Sequence, residues 1–328
     1  MPKISVIICT YNRCENVKVL LERLLFQEGV EDCAYEVIVV DNNSSDNTKE
    51  VVESYVSKFT FSTKGLRYLF EARQGKPFAL NLGIKESRGE ILVFIDDDCL
   101  VEKDYIAQIK KVFQENGARI DFMGGKILPY WVGGNCPSWL TEIILDNTEY
   151  ELNNELYWRR TFFRGPLAIL DYGEEPFFID STQKQYKSFL FYGPNMVIKK
   201  NAFDKVGGYA PDRVITQDTE ICLHLIKSGM KGFYAPNVKV YHRVKVAGVT
   251  PQFYYQWYFK RGKFLEMNDL VQRKFYHPLG IQNEFIFKTC LLFLKSMMKK
   301  SIRDKVQYRC QALFNLGQMT QIIKKNII

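Results

Sequence analysis

At 328 residues the chain is long enough to bury a sizeable core, as one large domain or as a domain with an appendage. Hydrophobic residues at 46% and charged residues at 25% argue against disorder, and eight cysteines without a CxxC pair or regular spacing argue against a zinc site or a disulfide framework. The net charge of +8 favours an anionic partner (a nucleotide diphosphate, a lipid phosphate or nucleic acid) without choosing among them.

Cys9 and Cys222 sit inside apolar runs and read as small core residues, which fits a reducing compartment. After Lys3 the chain enters a strand-like run with no signal-peptide apolar region, and no apolar stretch approaches the roughly 20 residues that span a bilayer. The expected location is cytoplasmic, at the inner face of the membrane if the C-terminal helices engage lipid.

In chain order, ISVIICT (4–10) is a short β-branched strand, followed by the polar turn YNRCEN and an amphipathic stretch through Leu25. EVIVVD (36–41) repeats the pattern, ending in NNSSDNT and a helix-like TKEVVESYVSKF. RYLFEA (67–72) reads as a third strand, KPFALNLGIKES as a third helix, and EILVFIDDD (90–98) as a fourth strand, apolar until its acidic end. Continuous apolar strands separated by helices indicate parallel βαβ units buried on both faces. Ligands in such sheets bind beyond the carboxyl ends of the strands. Four polar clusters are therefore expected on one edge: Thr10 to Arg13, Asp41 to Asp46, Glu71 to Lys76 and Asp96 to Asp98.

From about Gly124 to Phe191 the sequence is rich in aromatic residues, Gly, Pro and Asn and suits substrate-binding loops and short strands. An organised block follows: residues 191–209, a helix in TQDTEICLHLIKSG (216–229) and a strand in KVYH (239–242). From about 280 onward the chain reads as helices rich in Lys, Leu and Phe. Two domains are expected, residues 1–275 and a helical extension, 276–328.

Asp96, Asp97 and Asp98 are the strongest chemical feature. Three adjacent carboxylates repel one another unless a cation neutralises them, and Mg²⁺ or Mn²⁺ commonly binds through one or two carboxylates plus substrate phosphates. A solvated acidic loop is the plainer alternative. Asp218 begins a helix whose core face is Ile221, Cys222, Leu225 and Ile226; it suits an N-cap, a general base, or both. Asp41 can cap the next helix or accept a hydrogen bond from a base imide or ribose hydroxyl. Arg73 and Lys76 can reach phosphate oxygens or simply be solvated. His224 reads as exposed, His277 before Pro278 as a turn, and His242 as a strand-end residue able to ligate metal or phosphate. The first strand is not followed by GxGxxG, which argues against a dinucleotide-binding dehydrogenase.

With these residues in place, the chain resembles family 2 glycosyltransferases of the GT-A fold, of the bacterial polysaccharide-biosynthesis type. The resemblance rests on SVIICTYNR (5–13), EVIVVDNNSSDNT (36–48) and GKPFALNLGIKESRGEILVFIDDD (75–98). GGKILP (124–129), PSWL (137–140), YGPNMVIKKNAFDKVGGY (192–209), QDTEICLHLIKSG (217–229) and VYHRV (240–244) follow in the family's order. It implies a Rossmann-like mixed sheet flanked by helices, and an inverting direct displacement from a nucleotide-sugar donor, UDP-linked in most relatives, to a glycan or lipid-linked acceptor. Residue by residue, Asp98 resembles the main metal ligand for Mn²⁺ or Mg²⁺, with Asp96 beside it on the metal or the donor ribose. His242 matches a position that sometimes completes the metal shell. Asp218 resembles the base, Thr10, Tyr11, Arg13 and Asp41 the nucleoside pocket, and Lys76 a donor contact. Gln217 departs from the Glu-Asp pair of many relatives, which bears on acceptor contacts.

A nucleotidylyltransferase would need a glycine-rich basic loop after the first strand, which TYNRCEN lacks. An inactive sugar-nucleotide sensor or scaffold could keep the pocket but lose the carboxylates, which are present. No nucleic-acid motif accompanies the basic charge, so no nucleic-acid partner is expected. In FIFKTCLLFLKSMMKK (285–300), Lys288, Lys295 and Lys299 fall on one helical stripe among apolar residues. Such a helix can pack on the catalytic domain, pair in a homodimer, or lie in a membrane interface.

Overall fold

The computed structural model describes residues 3–59, 63–144, 163–183, 189–211, 217–264 and 281–327. The first hundred residues form the expected alternation. β1 (Ile4–Thr10) leads to α1 (Cys14–Leu25), β2 (Tyr35–Asp41) to α2 (Thr48–Val56), and β3 (Thr63–Phe70) to α3 (Lys76–Glu86), before β4 (Ile91–Asp96). β1 and β2 are buried almost throughout, because helices cover both faces of a parallel sheet. β1 pairs in parallel with β2 and β4, and β2 with β3.

The rest of the sheet brings in antiparallel pairs. After β5 (Cys99–Val101) and α4 (Tyr105–Asn116) comes β6 (Phe122–Val132), then α5 (Ser138–Ile144), β7 (Phe177–Ile179) and β8 (Met196–Lys199). A short α6 (Phe203–Val206) and α7 (Gln217–Lys227) precede the 14-residue β9 (Gly232–Lys245). The nine strands run in the order β3-β2-β1-β4-β8-β6-β9-β5, with β7 paired to β9. The sheet is therefore mixed and flanked by helices, as the resemblance implies.

Two elements are longer than the sequence pattern suggested. β9 extends well beyond the expected 239–242, and β6 crosses the start of the region read as loops and short strands. Both begin with a run buried without alternation, Phe122–Ile127 and Gly232–Pro236, which removes the period-2 signal there.

Contacts divide the chain into two compact units: residues 1–130 with 167–243, and residues 131–166 with 244–328. The first holds the sheet. In the second, α8 (Pro251–Phe264), α9 (Ile281–Met298) and α10 (Ile302–Ile327) provide the expected C-terminal helices. α8 and α10 pack backbone to backbone at two glycines: a Cβ on Gly262 would lie 2.2 Å from the Phe314 carbonyl, and one on Gly317 2.3 Å from that of Phe259. The expected domain boundary near residue 275, and His277, fall outside the described residues. Among the described residues no helix is long and apolar enough to cross a membrane.

Candidate active site

Register brings the polar clusters together. Thr10 is level with Asp41 across β1 and β2, and Cys9 with Asp96 across β1 and β4, so three strand ends finish in one row. The loops after β1 and β2 are tied to each other. Asn12 donates its backbone N–H to Ser44 Oγ at 2.8 Å, and Ser45 N–H donates to Asn12 Oδ1 at 2.7 Å. Asn42 holds the third loop: its Nδ2 donates to the Arg73 carbonyl at 2.6 Å, and its Oδ1 accepts from Gly75 N–H at 2.8 Å. Gly75 has φ 135°, a conformation that suits glycine and starts α3 with Lys76 at its first position.

Each carboxylate of the acidic run has a protein cation beside it, Arg13 serving two of them. Asp96 pairs with Lys76, whose ammonium is held charged: burial disfavours the charge, but Asp96 outweighs it. Asp97, buried, accepts from Thr10 Oγ1 and from the Arg13 guanidinium, both at 2.8 Å. Burial and the neighbouring Asp98 push Asp97 up to about 6, against the pull of Arg13 and Thr10. Asp98 Oδ2 accepts from Arg13 at 2.6 Å. Burial works to raise the Asp98 pKa, yet His242, Arg13 and Lys76 hold it well below the usual carboxylate range. The repulsion expected within the run is thus relieved by protein cations as well.

His242 reaches this group through the pairing of β5 with β9, where Cys99 faces His242. Its Nδ1 lies 2.7 Å from the Leu167 carbonyl, an acceptor, so Nδ1 carries a proton; burial disfavours the imidazolium, but Asp98 outweighs it and raises the His242 pKa, so Nε2 offers a lone pair only once its own proton is displaced. That Nε2 lies 3.5 Å from Asp98 Oδ1, a buried oxygen with no hydrogen-bond partner. An orphaned carboxylate oxygen beside an imidazole nitrogen fits two ligands of one divalent cation, which would displace the Nε2 proton. Among the described residues no group of three or more His, Cys, Asp or Glu side chains could hold a metal. The pair is a half-site, to be completed by oxygens from a substrate or water.

Asp218 lies in the first turn of α7. Its Oδ2 accepts from Gly193 N–H at 3.1 Å and its Oδ1 from Thr219 N–H at 2.8 Å. A small solvent-open pocket is lined by Asp218, Gln217, Lys76, Asp96, Gly193, Cys9, Leu80, Phe94, Ile95 and Tyr209. Gly193 sits between the charged groups: a Cβ there would lie 3.7 Å from Lys76 Nζ and 3.9 Å from Asp218 Oδ2.

The remaining expected residues are placed differently. Asp41 is buried, accepting from Tyr68 Oη at 2.8 Å and Ser44 N–H at 2.9 Å, which orders the β2 loop. Tyr11 is half exposed. Arg73 forms a fork with Glu71, at 2.9 and 2.8 Å, and stacks over the Phe78 ring. Its guanidinium holds the Glu71 carboxyl down to about 2. His224 is exposed, as expected.

Sequence reading missed Tyr209, Gly193 and Cys9 as cavity residues. Tyr209 had a legible signal only in the resemblance. Its backbone N–H donates to Asn81 Oδ1 on α3 and its carbonyl accepts from Asn81 Nδ2, both at 2.8 Å, a pairing across 128 residues that no local pattern announces.

Known proteins bear on this geometry. Residues 5–207 match the profile of Glycosyl transferase family 2, well over half of the chain. A stretch of 128 residues is 36% identical to Glycosyltransferase AglE of Haloferax volcanii, covering 39% of this chain and 40% of that one. The chain is also 27% identical over 244 residues to the GalNAc(5)-diNAcBac-PP-undecaprenol beta-1,3-glucosyltransferase of Campylobacter jejuni, covering 64% and 72% of the two. Among solved structures, the mannosyltransferase PcManGT of Pyrobaculum calidifontis, in complex with GDP-Man and Mn²⁺, superposes with a TM-score of 0.57. It is 17% identical, with 98% of this chain and 86% of that one covered. The architecture is of the GT-A type, a mixed sheet with flanking helices, and with the family match over the strands that build the site, the chain belongs to glycosyl transferase family 2.

Proposed function

We propose that the chain is an inverting glycosyltransferase of surface-polysaccharide assembly, passing a hexose-type sugar from a nucleotide-diphosphate sugar to a glycan or lipid-linked glycan. The observation that carries this is one cavity lined by an anchored carboxylate, Asp218, and by the ion pair Lys76–Asp96 at the end of β4. The acceptor hydroxyl attacks the anomeric carbon while Asp218 takes its proton. The bond to the nucleoside diphosphate breaks, and the electron pair leaves with the phosphate oxygen. Two backbone N–H donors fix the Asp218 carboxylate and leave lone pairs for that proton.

Lys76 suits a phosphate contact, Arg13 and Thr10 shape the donor side, and Asp41 and Tyr11 suit the nucleoside as the resemblance has them. Arg73 reaches phosphate only by leaving Glu71. Asp98 and His242, joined by Asp96 if Lys76 turns to the donor, would hold Mn²⁺ or Mg²⁺. When bound, that cation supplies charge neutralisation on the departing diphosphate. A UDP-linked donor follows from the resemblance. The Campylobacter relative's name, with its undecaprenol-linked glycan, supports a lipid-linked acceptor, and GDP-Man with Mn²⁺ in the mannosyltransferase complex supports a metal-assisted nucleotide sugar.

Transfer is tested with UDP-, GDP- and dTDP-linked sugars, with and without Mn²⁺, and NMR of the product reports the anomeric configuration. Inverted product from one donor supports the proposal. Retained configuration overturns the displacement, and binding without transfer to any glycan or lipid-linked acceptor favours a sugar-nucleotide sensor.

A further inference from the structure

α9 is amphipathic in the unusual sense. The side that packs into its unit carries Thr289 and Ser296, both buried, with Thr289 Oγ1 accepting from Asn315 Nδ2 of α10 at 3.4 Å. The opposite side carries Phe287, Leu291, Leu294 and Met298, spaced three or four residues apart and so aligned on one face. Phe287 is 67% exposed, Leu294 56% and Met298 81%, with Met297 at 78% beside them. A soluble helix places its apolar stripe inward; this one places polar residues inward and leaves large apolar side chains in water.

The surroundings of the face indicate what covers it. From Phe285 to Arg303 the sequence holds four lysines and one arginine and no acidic residue. Lys288 and Lys295 flank the face along one edge, and Lys299 and Lys300 follow its end; all four are exposed. A second copy packed through the same face would bring these like charges together across a two-fold axis. An anionic lipid surface complements them while its acyl boundary takes the apolar side chains. The helix is too polar to span a bilayer.

We infer that α9 is a membrane-docking face, lying in the interface of an anionic bilayer with Phe287, Leu291, Leu294 and Met298 inserted and the lysines at the headgroups. This stands on the exposed face alone and does not require the transfer reaction to be as proposed.

The test is flotation of the full chain with vesicles of phosphatidylcholine, alone or with about 30% phosphatidylglycerol, beside sedimentation velocity without lipid. The full chain is expected to float with the anionic vesicles and to be released by salt. The variant F287S/L294S/M298S should lower the bound fraction about tenfold, since insertion scales with buried apolar area. K295E/K300E, which leaves the apolar face intact, should weaken binding to the anionic vesicles alone. Thermal melts near that of the unaltered chain show that both variants are folded. Absence of flotation at either composition overturns the inference. So does a dimer that F287S/L294S/M298S dissolves in a chain that does not float, because the face is then covered by a second copy.

Discussion

Asp98 has two oxygens in unlike surroundings. Oδ2 accepts from Arg13, whereas Oδ1 is buried without a hydrogen bond and faces His242 Nε2 at 3.5 Å. A cation shared by the two groups would satisfy both, so Asp98→Ala and chelation by EDTA should each abolish any Mn²⁺-dependent rise in melting temperature with a nucleoside diphosphate. A rise that survives both would remove Asp98 from the metal reading. Asp218 offers a sharper separation, because its carboxylate is anchored by backbone N–H groups and not by a cation. Asp218→Asn keeps the shape but removes the base. It should lower kcat by about 10²–10⁴-fold while donor affinity, read by titration calorimetry, stays near that of the unaltered chain. Near-normal turnover in this variant would sink the assignment. Glu71 gives a pH signature. Arg73 holds it down to about 2, below its ordinary value, so its stabilising contribution is complete above the unfolded pKa and fades as pH falls from there towards 2. Urea midpoints of the unaltered chain and Glu71→Gln should differ by a constant amount at neutral pH and converge in acid. A gap that widens in acid would contradict the pairing.

At the scale of elements, close approach of backbones governs the helical unit. The Phe314 carbonyl lies where a Cβ of residue 262 would go, and the Phe259 carbonyl where one of residue 317 would go, so α8 and α10 cannot both keep their separation with a larger residue at either site. Gly262→Ala or Gly317→Ala should destabilise by about 1–3 kcal/mol, measured by chemical denaturation, as overpacking does. An unchanged midpoint would show that the helices separate freely. Neither glycine was visible as special in the sequence, because a helix–helix crossing joins segments with no common period. The β1–β4 half was legible for the opposite reason. Its strands are continuous apolar runs, each ended by a polar cluster, and parallel pairing of successive units follows from chain order. The second half, with its antiparallel pairs, defied that logic. His242 meets Asp98 only because β5 pairs with β9, and Asp218 meets Lys76 only because β8 lies beside β4 and brings Gly193 with it. Sequence order and the family resemblance pointed to those residues; residue spacing did not. Arg73 has a local competitor that composition does not announce: Glu71, two residues away, holds its guanidinium.

For the molecule as a whole, the sheet divides the chemistry between its two halves. The parallel strands end at Thr10, Asp41 and Asp96, while the later strands and their connections deliver Gly193, Asp218 and His242 to the same edge. The first group comes from the first hundred residues and is rich in groups that suit a donor. The second contains Asp218, the carboxylate proposed to face an acceptor. This division has a measurable consequence. A nucleoside diphosphate that binds only the folded chain stabilises it by about 2.7 kcal/mol at a hundredfold excess over its dissociation constant. Substitution on the donor side, such as Lys76→Gln, should remove that stabilisation, because it takes away the ammonium that Asp96 holds charged at the cavity wall. Gly193→Ala, on the other side, places a methyl group between Lys76 and Asp218 at ordinary contact distance. It should leave the folded chain and the nucleotide-induced shift largely intact while slowing transfer to the acceptor. If Gly193→Ala instead erases the nucleotide shift and spares transfer, the two halves of the sheet do not divide donor from acceptor as their topology suggests.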